Sequence, residues 1–147
     1  MNAMLSRTAE YALRAAVQVA LLGQDRPVRV EELARASDVP RNYLSKILHV
    51  LARQGVLTST RGPQGGFQLA VDPERLKLAR VTAPFETQPA SRCVLGRPRC
   101  SDRNPCGAHE RWKGATAAMR SFFEETTLAD VIGTQEEAGL ARVARKG

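Results

Sequence analysis

The residues best suited to chemistry lie between Cys93 and His109, in the stretch CVLGRPRCSDRNPCGAH. It holds all three cysteines of the chain and one of its two histidines. Six residues separate Cys93 from Cys100, five separate Cys100 from Cys106, and two separate Cys106 from His109. Three soft thiolates and an imidazole in one loop can wrap a thiophilic metal centre. Gly96, Pro98, Pro105 and Gly107 break regular structure between them, so the backbone can bend each sulfur toward a common point. The spacing matches neither two close C-x-x-C zinc pairs nor the bacterial ferredoxin run. An odd cysteine count argues against a closed disulfide framework. On spacing alone three readings stay open: an iron–sulfur cluster, a zinc or thiol-redox site, and three thiols without a ligand.

The rest of the chain must position this loop and use it. At 147 residues it can form one modest domain with a helical extension. There are 22 Lys and Arg against 15 Asp and Glu, a net charge of +7, which favours a polyanionic partner, with a plain solubility effect as the other reading. Glu10, Arg14 and Gln18 interrupt the apolar stretch near the N-terminus, so no signal peptide is expected, and no run is apolar enough to cross a bilayer. A cytoplasmic protein with reduced thiols follows, where cysteines more often bind metal or do redox chemistry than staple a fold. Aromatic residues are few, so no large small-molecule pocket is expected. No Ser–His–Asp order, phosphate-cradling glycine loop or carboxylate pair stands out, so the chain does not read as an enzyme.

In chain order, Ser6 caps a helix to Leu22 with Leu13, Ala16, Val17, Ala20 and Leu21 on one face. Glu10 and Arg14, four residues apart on its polar side, read as a solvated ion pair. A short helix over Val30–Ala36, a turn at Ser37–Val39 and a third helix from Pro40 to about Arg53 make a helix-turn-helix. Leu44, Ile47, Leu48 and Leu51 face inward. Arg41, Asn42, Tyr43, Ser45 and Lys46 lie at the N-terminal half, the end that reaches base edges. His49 reads as a phosphate- or solvent-facing residue. Val56–Thr60 and Phe67–Val71 flank a Gly- and Pro-rich turn and form a hairpin, the wing. Arg61, Gly62, Gln64 and Gly65 at its tip are candidate DNA contacts, the glycines allowing close approach to the sugar–phosphate backbone. Between Asp38 and Asp72 no residue is acidic, whereas Arg41, Lys46, Arg53 and Arg61 are basic. Asp72-Pro73-Glu74 starts a helical turn, with Leu76, Leu78, Val81 and Phe85 inward. A long helix from about Cys106 to Glu125 then carries an apolar seam of Trp112, Ala115, Met119 and Phe122, with Phe123 alongside. A head this small can cover only part of it, so a second copy of the helix is expected to cover the rest, giving a homodimer. Thr127 and Asp130 start a last short helix through Ile132 that Gly133 ends.

The segments LSRTAEYALR (5–14), VPxxYLxKIL (39–48) and STRGPQGGFQL (59–69) resemble the bacterial winged-helix iron–sulfur regulators that include IscR, NsrR and RirA. The likeness covers roughly residues 4–133. The resemblance implies a mainly α fold with a small β-hairpin wing, made of a winged helix-turn-helix DNA-binding domain (4–86), a cysteine-rich cluster-binding loop (87–109), a dimerisation helix with a short terminal helix (106–133) and a tail (134–147). It implies a cytoplasmic homodimer that binds a palindromic double-stranded DNA operator under control of an iron–sulfur cluster, 2Fe–2S or 4Fe–4S, held by Cys93, Cys100 and Cys106. For the fourth ligand, His109 matches the histidine of IscR-like members. Glu10 matches the position from which NsrR-like members supply an acidic oxygen of the other subunit, although an aspartate is usual there.

Three departures bear on this expectation. The first cysteine gap is six residues where IscR-like members tend to have five, so the cluster type is open. Ser45 stands where IscR-like members use a glutamate to discriminate operators, so the operator need not be theirs. Pro84 falls where relatives continue a helix, so that segment is expected to be broken. A zinc- or thiol-based redox regulator on the same scaffold is the alternative, and an iron–sulfur electron-transfer protein a more distant one, since it would leave the basic helix and wing without a use.

Overall fold

Ser6 opens the first helix, α1 (Arg7–Leu22), by accepting the Ala9 N–H on its hydroxyl at 3.0 Å. The computed structural model describes residues 5–86, 93–97 and 101–137, with side chains to residue 133. Helix α1 is the centre of the molecule and is touched by four other helices and the wing. Its buried side chains are therefore not confined to one stripe: Ala9, Ala12, Ala15, Ala16, Val17, Val19 and Ala20 are all buried. Leu13 and Leu21, expected inward, are only half-buried and pack on the rim of the core. Five alanines let the neighbouring backbones come close, which larger side chains would prevent.

Helix α2 (Val30–Ser37) ends at Asp38, whose φ of 54° makes the tight turn into α3 (Arg41–Arg53). Leu44, Ile47, Leu48 and Leu51 are the buried residues of α3, the set the apolar spacing predicts. At 2% exposure or less they lock the recognition helix to the core, and truncating one costs about 2–5 kcal/mol.

Strands β1 (Leu57–Thr60) and β2 (Gly66–Leu69) pair antiparallel, with Leu57 opposite Leu69 and Thr60 opposite Gly66. The hairpin is not a free flap. Val28 bridges Phe67 through two backbone hydrogen bonds of 2.9 and 2.8 Å, adding a third short edge from the α1–α2 connection. The Gln68 side-chain amide donates to Gly23 O at 3.1 Å on the same connection.

After the wing, helix α4 (Leu78–Thr82) is only five residues long and runs into a single 3₁₀ turn over Ala83–Phe85. Pro84 cannot donate to a continuing α-helical ladder, so the helix tightens and stops. Leu76, Leu78 and Val81 are buried, and Phe85 is half-buried. Glu86 and Phe85 return to the start of α1, where the Ser6 N–H and hydroxyl donate to them.

Helix α5 (His109–Glu125) begins three residues later than the seam suggests, because the backbone at Pro105-Cys106-Gly107 still belongs to the loop. Helix α6 (Leu128–Glu137) also departs from expectation: Gly133 lies inside it rather than ending it. Its start is as expected, with Thr127 N–H donating to Asp130 Oδ2 at 2.9 Å and Asp130 N–H to Thr127 Oγ1 at 3.2 Å. Between α5 and α6 the chain is pinned to the head. Leu78 N–H donates to Thr126 O, Leu128 N–H donates to Leu76 O, and Leu128 is fully buried. The whole is mainly helical with one two-stranded sheet. No helix among the described residues is long and apolar enough to cross a membrane.

Candidate nucleic-acid interface and metal centre

The outward half of α3 presents Arg41, Asn42, Tyr43 and Lys46 to solvent, with Ser45 half-buried among them. Arg41 does not project freely, since its guanidinium pairs with Glu31 of α2 at 2.8 Å. The hydrogen bond from Arg41 holds the Glu31 carboxyl below the usual carboxylate range. Both side chains are more than half exposed, so the pair is weak enough to exchange for a phosphate. Tyr43, 61% exposed, leans toward Tyr11 of α1 with ring centroids 6.5 Å apart, and Arg14 lies 5.8 Å from the Tyr11 ring. Tyr11 thus supports an outward aromatic on the recognition helix, a role that its half-buried place in α1 conceals in the sequence.

An open groove runs between α3 and β1, lined by Lys46, His49, Arg53, Thr58 and Ser59. The His49 ring sits edge-on to Phe67 at 5.6 Å while remaining exposed. Thr58 and Ser59 are not among the sequence candidates; β1 is exposed at three successive residues, Thr58–Thr60, so alternation carries no signal for them.

At the wing tip Arg61, Gly62 and Gln64 are exposed. Gly62 has φ +100° and nothing near its missing Cβ. Gly65 behaves differently from the expectation that groups it with these. It is buried, its N–H donates to Gly62 O at 2.9 Å, and a Cβ would lie 2.1 Å from Thr60 O. Its work is to close the turn, because its backbone donor is already used. Gly66 lies against the Val28 backbone, where a Cβ would come within 2.4 Å of Val28 O. Arg29 donates from its guanidinium to Pro63 O and ties the tip to the start of α2.

In the cysteine loop, Cys93 is 4% exposed and Cys106 is half-buried. Cys100, with Arg92 and Arg99, lies outside the described residues. The Leu95 backbone N–H holds the Cys93 thiol below its ordinary pKa; the Arg97 N–H and charge and a hydrogen bond with Cys106 add to this, against the opposing effect of burial. A sulfur held this way favours the thiolate, the form that binds metal. Gly96, at φ +77°, makes the turn that aims these N–H groups, and Arg97 crosses the loop to Asn104 O at 3.1 Å.

His109 is the first residue of α5 and is 4% exposed. Its backbone N–H donates to Cys106 O at 3.1 Å, and its Nε2 lies 2.7 Å from Asp102 Oδ1. Lys113 Nζ reaches both oxygens of the same carboxylate, at 3.1 and 3.4 Å. His109 first, and Lys113 second, hold the Asp102 carboxyl below its usual range. Asp102, His109 and Glu110 bring one ligand atom each within 4.8 Å of one another. The Lys113 ammonium on that carboxylate opposes a cation there. Glu10 is on the outer side of α1, about half exposed and paired with Arg14 at 2.7 Å. Sequence reasoning named His109 but not the carboxylate beside it.

Along α5, His109 is the one buried residue. Trp112, Met119 and Phe123 are half-buried, Ala115 and Phe122 are exposed, and the Phe122 and Phe123 rings meet edge-on at 5.1 Å. Phe123 packs against the head's core, so the expected seam splits: Phe123 is internal, Ala115 and Phe122 are exposed, and Trp112 and Met119 lie between the two.

A family model described as Rrf2, iron-dependent transcriptional regulator, matches residues 5–134. The chain belongs to the Rrf2 family. Among Rrf2-type relatives, a candidate HTH-type transcriptional regulator of Aquifex aeolicus (strain VF5) is 36% identical over 137 residues, covering 91% of this chain and 94% of its own. The HTH-type transcriptional regulator IscR of Yersinia pseudotuberculosis is 32% identical over 133 residues, covering 90% and 80%. Two solved structures share the fold. CymR of B. subtilis, the global cysteine regulator, has a TM-score of 0.76 at 20% identity over 90% of this chain and 98% of its own. The IscR of T. potens has a TM-score of 0.75 at 23% identity over 94% and 92%. The winged-helix architecture and the role of transcription regulator are therefore those of the Rrf2 family.

Proposed function

We propose that this regulator is a cytoplasmic homodimer whose binding to a palindromic DNA operator is switched by an iron–sulfur cluster held by Cys93, Cys100 and Cys106. The observation that carries the reading is Cys93: buried and biased to thiolate by backbone donors, in the loop whose Cys106 carbonyl accepts the His109 N–H at the base of α5. This donor set fits a thiophilic iron centre, and IscR names among the relatives agree with it. His109 is the fourth ligand we favour, being buried and in the same loop. Glu10 could serve only from a partner subunit. When bound, the cluster supplies a centre whose oxidation state, integrity or loss can report nitric oxide, oxygen or iron supply.

The chain's own residues do the rest. Asp102 joins the loop to α5 at its first turn, and Thr126 and Leu128 join the far end of α5 to Leu76 and Leu78 of the head. A change in the loop is then transmitted along a rigid helix to the two recognition helices. Arg41, Asn42, Tyr43, Ser45 and Lys46 would read the major groove. Arg61, Gly62 and Gln64 would meet the backbone or minor groove beside it. Trp112, Ala115, Met119 and Phe122 would form the isologous seam. Anaerobic purification followed by iron, sulfide and zinc analysis tests the centre. Stoichiometric iron and acid-labile sulfide are expected; a colourless protein without either would overturn the cluster.

A second reading has its own support. The Cys106 side chain is among the groups that lower the Cys93 thiol's pKa, both cysteines are free thiols, and CymR, the cysteine regulator, has the same fold. In a thiol-based regulator these two cysteines would be oxidised together. Mass spectrometry of the air-exposed protein would then find a Cys93–Cys106 disulfide and no iron in the anaerobic sample.

A further inference from the structure

We propose that the groove between α3 and β1 is a track for the sugar–phosphate backbone of one DNA strand, gripped by Lys46, His49 and Arg53 from the helix and by Thr58 and Ser59 from the wing. The inference rests on the reading of α3 and the wing tip as DNA contacts, and extends that surface to His49, Arg53, Thr58 and Ser59 between them.

Three observations carry it. Lys46, His49 and Arg53 are spaced by three and four residues, so they share the face of α3 opposite its buried one, and all three are exposed. Their charges are uncommitted. Among the described residues no ion pair holds Lys46 or Arg53, whereas Arg14, Arg26 and Arg41 each lie on a glutamate at 2.7 or 2.8 Å. Between Asp38 and Asp72 the sequence supplies no carboxylate to neutralise them. The wing sets the facing wall. The His49 ring stands edge-on to Phe67 at 5.6 Å, and Ser59 pairs with Phe67 across the hairpin, so imidazole and hydroxyl meet the same stretch of the groove.

The place of the groove decides its occupant. In a duplex, one sugar–phosphate strand separates each major groove from the minor groove beside it. A protein with α3 in the major groove and Arg61 in the adjacent minor groove straddles that strand, which must then pass between α3 and β1. A phosphate there accepts from an ammonium, a guanidinium, an imidazole N–H or a hydroxyl, and all four line the groove. Val50 and Leu57 line it as well, apolar groups against which deoxyribose carbons can pack. Contacts of this kind add grip and fix register without reading bases.

The test uses the full chain, purified anaerobically, as wild type, Arg53→Gln, Arg53→Lys and Thr58→Val. Each is titrated over a series of salt concentrations against an operator selected from random duplexes and against a random duplex of equal length. The operator is also made with single neutral methylphosphonates in place of its phosphates. Arg53→Gln should weaken binding to both duplexes by the same factor and lower the salt slope by about 1 for each copy bound. Arg53→Lys keeps the charge and should keep the slope. Thr58→Val should weaken binding about 2- to 10-fold at an unchanged slope, because a hydroxyl neutralises no phosphate. One methylphosphonate in each half-site should cost wild type affinity and cost Arg53→Gln none. Both positions are exposed, so the variants should keep the wild-type melting temperature. A wild-type slope in Arg53→Gln, wild-type affinity in Thr58→Val, or equal cost of every methylphosphonate in wild type and Arg53→Gln overturns the track while leaving DNA binding standing. Wild type that binds neither duplex overturns both.

Discussion

At the scale of single residues, the account turns on groups whose surroundings have been arranged. Cys93 keeps a thiolate-biased sulfur in a buried place because N–H groups of the turn at Gly96 point at it. Cys93→Ser should abolish iron binding while leaving the head folded, measured by iron content beside the circular dichroism melt. Asp130 gives a pH signature. Its carboxyl is held below the ordinary value by the Thr127 N–H and hydroxyl. A depressed folded value means the contribution is present above the unfolded pKa near 3.8 and is lost as pH falls through the folded value. Asp130→Asn should therefore lower stability at pH 7, where the contribution is fully present, and cost least at low pH, so that the acid limb of its stability curve is flatter than that of the wild type. Thr127→Ala removes the reciprocal cap and should cost about 1 kcal/mol in denaturant unfolding.

At the scale of elements, the recognition helix was legible and its setting was not. Leu44, Ile47, Leu48 and Leu51 announce the buried face of α3 through three- and four-residue steps, and Ser6 announces the start of α1. The bridge from Val28 to Phe67 carries no local signal, because a single pair of backbone bonds across 39 residues needs no special side chain. For the same reason the sequence pattern assigns Gly62 and Gly65 of the wing to DNA. In the fold, Gly65 closes the turn and Gly66 makes room for Val28, while Gly62 stays open. Gly66→Ala should thus damage the wing without touching a DNA contact: a loss of about 1–3 kcal/mol in stability, with weaker operator binding following it. Gly133 reads as a stop, yet α6 continues through it, since one glycine costs a helix only about 1 kcal/mol relative to alanine. Apolar spacing extends α5 back to about Cys106, because it cannot distinguish a helix from the loop that enters it, whereas the helix begins at His109. Lys46→Ala, at the outward face of α3, should weaken binding to all sequences alike and lower the salt slope by about 1 if it meets a phosphate. An unchanged slope would remove it from the interface.

At the scale of the whole molecule, α5 connects two places that are each firmly held. Its first turn is clamped to the cysteine loop through Asp102, and its end is fastened to the core by Leu128 and the strand-like contact of Lys77 with Thr127. Between them lies a helix with His109 as its one buried side chain, Trp112 and Met119 half-buried, and Phe122 exposed. A second copy would cover them. Trp112→Glu should yield monomers by sedimentation, with operator affinity reduced because the two heads no longer share one binding event. This coupling is what the sequence could only suggest: the cysteines and the helix-turn-helix are readable separately, whereas the carboxylate clamp and the α5–α6 fastening exist only in three dimensions. The central claim is that the centre at Cys93, Cys100 and Cys106 controls the grip on DNA. It is tested by anaerobic titration of one protein preparation, before and after cluster removal, against an operator selected from random duplexes. The account predicts affinities that differ by about 10-fold or more between the two forms, as expected for sites coupled by 1–3 kcal/mol. Equal affinities of the loaded and cluster-free dimer would contradict it.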